Sequence, residues 1–133
     1  MLYHKRSAVI IKKDGKILLM HRHKFNEEYY TLPGGTIEND ENIEQTALRE
    51  IKEETNLDIV LDKLLWEIED EHHHGYYFLV KSFSGKLKLG GPELERAKAG
   101  NLYNLEWVEI KNLQNILLYP EIIKEKIINL CQK

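Results

Sequence analysis

Apolar positions recur along this chain with two periods, and the places where one period gives way to the other divide it into elements. Ala8-Val9-Ile10-Ile11 and Ile17-Leu18-Leu19-Met20 are short runs of strand-forming residues separated by Asp14-Gly15, a pair suited to a tight hairpin turn, so the opening predicts two antiparallel strands. From about Glu41 to Thr55 there is neither glycine nor proline, and Ile43, Ala47 and Ile51 recur every fourth residue. That spacing predicts an amphipathic helix, with Asn39-Asp40 at its start and Asn56 at the left-handed position past its end. Leu57–Leu61 and Leu64–Ile68, then Gly75–Val80 beyond the polar Glu69–His74 segment, predict a second hairpin whose returning strand is well buried. Asn104–Ile110 alternates as a strand, with Trp107 directed to the core, and Leu113–Leu118 is a short apolar segment. Pro120 opens a closing helix, Glu121–Leu130, in which Ile123, Ile127 and Leu130 form the buried stripe. Strands and helices thus alternate in one α+β or α/β sandwich, the closing helix covering the second face of the sheet.

Composition narrows this picture only a little. At 133 residues, 42% hydrophobic and 31% charged, the chain fits one domain, residues 1–133, with a substantial core. The formal net charge is −3, and Glu41–Glu54 alone carries five glutamates against Arg49 and Lys52, so the rest of the chain sums to zero. A basic surface for a nucleic-acid polymer is not expected, and the acidic excess is concentrated on one helix. Cys131 is the only cysteine, which excludes an intrachain disulfide and favours a reducing compartment. Lys12, Lys13 and Asp14 interrupt the first apolar run and no stretch approaches a membrane span, so a cytoplasmic protein without membrane contact is expected.

The candidate chemistry lies between Leu32 and Leu57. Pro33-Gly34-Gly35 predicts a tight loop whose backbone, that of Gly34 included, is open to a ligand. In the helix that follows, Glu50, Glu53 and Glu54 stand at i, i+3 and i+4, within roughly a 100° arc of one face. Like charges at these spacings cost a helix about 0.2–0.5 kcal/mol per pair. A hard divalent cation such as Mg²⁺ or Mn²⁺ turns that repulsion into attraction and shares its shell with phosphate oxygens. The plainer reading is a solvated acidic face on which Arg49 pairs with Glu53.

Read from Gly35, five residues lead to Glu41, seven more to Arg49-Glu50-Ile51, one to Glu53-Glu54 and one to Asn56-Leu57. This pattern resembles the Nudix box of the Nudix hydrolases at every fixed position but one, Asn56 standing where the family has glycine. Leu32-Pro33-Gly34-Gly35 and Glu38 also resemble family usage. Asparagine tolerates the left-handed conformation that glycine supplies, so the departure is structurally mild.

The resemblance implies an α/β/α sandwich around a central mixed sheet. It implies a divalent cation, Mg²⁺ or Mn²⁺, held by Glu50, Glu53, Glu54 and the carbonyl of Gly35. Arg49 would orient the carboxylates and Glu41 would hold that arginine. The general base would be Glu53 or a carboxylate of the Lys86–Gly100 loop, Glu95 or Glu93. Arg22 stands where family members present a cation to substrate phosphate, and Tyr30, with Tyr29 or Tyr76, offers a face on which a base can stack.

The implied reaction is hydrolysis of the pyrophosphate bond in a nucleoside diphosphate linked to another moiety. A nucleoside triphosphate, canonical or oxidised, comes first, with nucleotide sugars and dinucleoside polyphosphates behind it. The competing class is a non-catalytic nucleotide-binding regulatory module. The expected partner is a small nucleotide, and the assembly a monomer or homodimer. His72-His73-His74 suggests a transition-metal site, but neighbours on an extended chain point to opposite faces, so an exposed turn is the expectation. The triplet could touch substrate if its hairpin overhangs the cleft.

Overall fold

The structure, a computed structural model, describes residues 4–89 and 101–131. Within them the order is β1 (His4–Ile10), β2 (Lys12–Lys13), β3 (Lys16–Lys24), β4 (Glu27–Thr31), β5 (Gly34–Thr36), α1 (Ile43–Thr55), β6 (Asp58–Glu69), β7 (His73–Ser84), β8 (Asn101–Glu109), a 3-10 turn (Ile110–Asn115), β9 (Leu118–Tyr119) and α2 (Glu121–Cys131). One sheet has the order β5-β1-β7-β6, with β1 parallel to β7 and antiparallel to β5. The other runs β2-β3-β4-β9, with β8 along the remaining edge of β3.

The two sheets explain where the expected first hairpin fails. Only Lys12-Lys13 pairs back on Lys16-Ile17, around Asp14 (φ 53°) and Gly15 (φ 75°), the two left-handed residues such a turn requires. Ala8–Ile10 leaves for the other sheet, where it lies between β5 and β7. Every residue from Ala8 to Ile11 is buried, as in a strand covered on both faces. Alternate side chains serve two cores. Val9, Ile11 and Leu18 pack with Ala47 and Ile51 of α1, whereas Ala8, Ile10, Ile17 and Leu19 pack with Ile123, Ile127 and Ile128 of α2. The closing helix therefore covers the second face as expected, with Ile128 rather than Leu130 completing its buried stripe.

The second hairpin is present as β6 and β7, antiparallel with irregularities between Val60 and Trp66. Trp107 is half-buried against the α1 core, its ring centroid 5.8 Å from that of Phe83. Asn56 ends α1 in the left-handed conformation at φ 69°, and its side-chain amide donates to the Lys86 carbonyl at 2.9 Å. The helix starts later than Asn39-Asp40: Asp40 is itself left-handed, at φ 71°, and cannot enter the first turn. Asn42 caps instead, accepting from Gln45 N while the Gln45 side chain accepts from Asn42 N, a reciprocal capping box. Among the described residues no helix is long and apolar enough to cross a membrane.

Candidate active site

Pro33-Gly34-Gly35 is pressed between the middle strand of one sheet and the acidic face of α1. The Pro33 carbonyl accepts from Val9 N at 3.1 Å, and Gly34 and Gly35 stand opposite Ala8 and Ser7 in the β1–β5 register. The Ser7 hydroxyl donates to the Ile43 carbonyl at 2.8 Å, tying β1 to the first residue of α1. A Cβ on Gly35 would overlap the Glu50 carboxyl group, so the missing side chain is what lets that carboxylate lie against the loop. Glu54, 4% exposed, accepts from Gly34 N at 3.1 Å.

Arg49 gathers the carboxylates. Its Nε and Nη2 donate to the two Glu41 oxygens at 2.6 and 3.0 Å, a forked pair, and Nη2 also donates to the Thr36 carbonyl at 3.1 Å. Nη1 donates to Glu50 Oε2 and Glu53 Oε1, both at 3.0 Å, so these two carboxylates lie within two hydrogen-bond lengths of each other. Glu41 also accepts from the Thr46 hydroxyl at 2.8 Å and from Glu38 N at 3.1 Å.

The Glu41 carboxyl is thereby pulled down to about 2, first by its hydrogen bond from Arg49. The same carboxylate, followed by Glu53 and Glu50, raises the Arg49 guanidinium. A depressed folded-state value means that the stability contributed by Glu41 is complete above the ordinary 4.5 and is lost as pH falls through about 2. Melting temperatures of Glu41→Gln should therefore fall less steeply than those of the wild type over that window; parallel slopes would contradict the assignment.

Three acidic side chains and the loop backbone offer only oxygen donors, the set a hard divalent cation takes. The residues present thus fit Mg²⁺ or Mn²⁺.

Beside the loop opens a cavity of about 530 Å³. Its walls come from three places: Arg6, Ala8, Thr31 and Leu32 near the loop; Ile68–Asp70, His73, Gly75 and Tyr77 from the β6–β7 hairpin; and Tyr119, Pro120 and Ile122 where α2 begins. An apolar body with a few polar groups at its rim has the size and character of a small-ligand pocket. The hairpin with the histidine triplet does overhang this cavity, through His73. His72 and His73 are exposed, as expected for a turn, whereas His74 is buried, hydrogen-bonded to Glu67 and stacked on Tyr76 at 4.6 Å.

The remaining sequence candidates are placed unevenly. Arg22 lies with its guanidinium carbon 4.6 Å from the Tyr103 ring centroid and 5.9 Å from that of Tyr29, and its Nε is buried with no hydrogen-bond partner among the described residues. Tyr29 approaches the cavity through Tyr119, at 5.3 Å between centroids. Tyr30 stacks on His21 at 4.2 Å and Tyr76 on His74, so both have a ring face already occupied. Glu93 and Glu95 lie outside the described residues. Sequence reasoning missed Arg6, Tyr77, Tyr119 and Ile122. No local pattern marks them, because the cavity exists only where distant segments meet.

Comparison with known proteins gives the same frame. The ADP-ribose pyrophosphatase of Methanocaldococcus jannaschii is 36% identical over an alignment of 125 positions that covers 87% of this chain and 68% of that protein. The 8-oxo-dGTP diphosphatase of Proteus vulgaris is 29% identical over 63% of this chain and 80% of its own length. Among solved structures the E. coli ORF135 protein superposes with a TM-score of 0.75 at 24% identity, covering 99% of this chain and 93% of that one. The NUDIX domain model matches residues 3–127. With the glycine loop, the arginine-centred carboxylates and this match in agreement, the chain belongs to the Nudix family of hydrolases acting on phosphoric anhydrides.

Proposed function

We propose that the protein hydrolyses the pyrophosphate bond of a nucleoside triphosphate, canonical or oxidised, using a divalent cation at the glycine loop and α1. The observation that carries this reading is the set of carboxylates that Arg49 gathers against Gly35; a cavity of about 530 Å³ opens at Thr31 and Leu32, the residues that lead into the glycines, with room for one nucleoside. Glu50, Glu53, Glu54 and the Gly35 carbonyl are the proposed donors to the cation. When bound, the cation neutralises the phosphate oxygens and the charge developing on the leaving group.

The chain's own groups do the rest. Arg49 fixes the Glu50 and Glu53 carboxylates in one orientation, and Glu41 fixes Arg49. Water attacks phosphorus, the bridging P–O bond breaks, and a carboxylate takes the proton from the attacking water. Glu53, 42% exposed in its side chain, is the proposed base, with Glu95 the alternative. Arg22 is the proposed phosphate cation and Tyr30 contributes to the substrate side, whereas Gly34, expected to be open to a ligand, is buried with its N–H given to Glu54; the compartment is proposed to be the cytoplasm.

A second reading, ADP-ribose as substrate, is favoured by the name of the Methanocaldococcus relative. The purified protein with Mg²⁺ and a panel of nucleoside triphosphates, 8-oxo-dGTP, ADP-ribose and a dinucleoside polyphosphate separates them. Our reading expects nucleoside monophosphate plus pyrophosphate from a triphosphate. AMP plus ribose phosphate from ADP-ribose alone would replace it, and no turnover with any of them would favour a non-catalytic binding module.

A further inference from the structure

We propose that the outer end of the β3–β4 ribbon is a second metal site, separate from the acidic helix, where His21, His23 and Glu28 take one transition-metal ion of the zinc class. Strand alternation puts His21 and His23 on the same face of β3. The β3–β4 register sets Glu28 directly opposite His23. A single oxygen, Glu28 Oε2, receives both rings, 2.7 Å from His21 Nε2 and 2.8 Å from His23 Nε2. All three ligand atoms lie within 4.8 Å of one another.

The wiring of His21 is what distinguishes this cluster from an ordinary surface ion pair. Its ring is buried, stacked on Tyr30, and its Nδ1 is hydrogen-bonded to Glu106 of β8. A neutral imidazole has one N–H donor and one lone pair. With the N–H given to Glu106, the Nε2 lone pair faces a carboxylate oxygen, and only a positive charge between them makes that contact favourable. An outer carboxylate that fixes the tautomer while the other nitrogen binds the ion is the usual arrangement around a metal-bound histidine.

Two imidazoles and one carboxylate suit Zn²⁺ and its neighbours rather than Mg²⁺. Ligand atoms on a tetrahedral zinc stand roughly 3.3 Å apart, given bonds of about 2.0–2.1 Å, so entry requires the tips to spread by about 0.5 Å. The side chains of His23 and Glu28, 45% and 57% exposed, have room to do this while His21 stays anchored. The fourth position then faces solvent.

The alternative is an imidazolium held between two carboxylates with no ion. Calorimetric titration of the full chain with Zn²⁺ in buffer holding saturating Mg²⁺, which keeps the acidic helix filled, paired with visible absorption of the Co²⁺-loaded protein, decides between them. We expect one ion showing the intense bands of four-coordinate cobalt. His23→Ala and Glu28→Gln, both at exposed side chains, should abolish those bands and weaken Zn²⁺ by about a hundredfold, and Glu106→Gln by about tenfold. Glu53→Gln should leave the bands unchanged. Absence of binding, or bands that persist in both His23→Ala and Glu28→Gln, overturns the proposal; circular dichroism verifies that each variant is folded.

Discussion

Glu53→Gln should lose about a thousandfold or more in kcat with Mg²⁺ while melting within a degree or two of the wild type. Its side chain is 42% exposed and the bond it accepts from Arg49 faces the surface, so the neutral isostere costs little stability. What it loses is a negative oxygen donor and a base, effects of the size expected when a proton acceptor or metal-binding group is removed. Glu54→Gln should lose comparable activity and also melt lower, by the equivalent of roughly 1–3 kcal/mol, because a buried hydrogen-bonded carboxylate becomes an amide whose NH₂ needs a new partner. Rates unchanged in both variants would remove these residues from the chemistry.

The adjacent glycines should respond in opposite ways. A Cβ at Gly34 would overlap the Ser7 carbonyl oxygen and lie 2.6 Å from Ala8 Cα. Both atoms belong to the backbone of a buried middle strand, which cannot retreat, so Gly34→Ala should destabilise the fold by about 3 kcal/mol or more. At Gly35 the obstacle is the far end of the Glu50 side chain, which can swing away. Gly35→Ala should therefore keep most of its stability and lose most of its turnover as Glu50 leaves the loop. Chemical denaturation beside initial rates separates the two, and equal stability losses would show that Glu50 is held more rigidly than its contacts imply.

The sequence was most informative where chemistry is local. Glu50, Glu53 and Glu54 share one helical turn, and Asn56 must adopt a left-handed conformation to end it, so spacing alone placed the acidic face and its limit. Arg49 and Glu41, two turns apart, were legible through the family resemblance and do pair. Strand partnership was not legible. Ala8–Ile11 is equally apolar as half of a hairpin or as a middle strand, and only burial on both faces decides between them. The His21–His23–Glu28 cluster was hidden for a related reason: an alternating histidine pair is unremarkable until another strand sets a carboxylate opposite it. Asp40 shows the reverse error, a good capping residue excluded from that role by its own backbone angle.

The cavity draws its lining from the β6–β7 hairpin, from the chain leading into the glycines and from the entrance of α2, yet none of its lining groups lies on α1. On the proposed function, recognition and bond cleavage are therefore housed in different stretches of the polypeptide. Exchanges at Ile68–Asp70, Tyr119 or Ile122 are then expected to change which nucleotide is accepted while leaving the carboxylates of α1 in place.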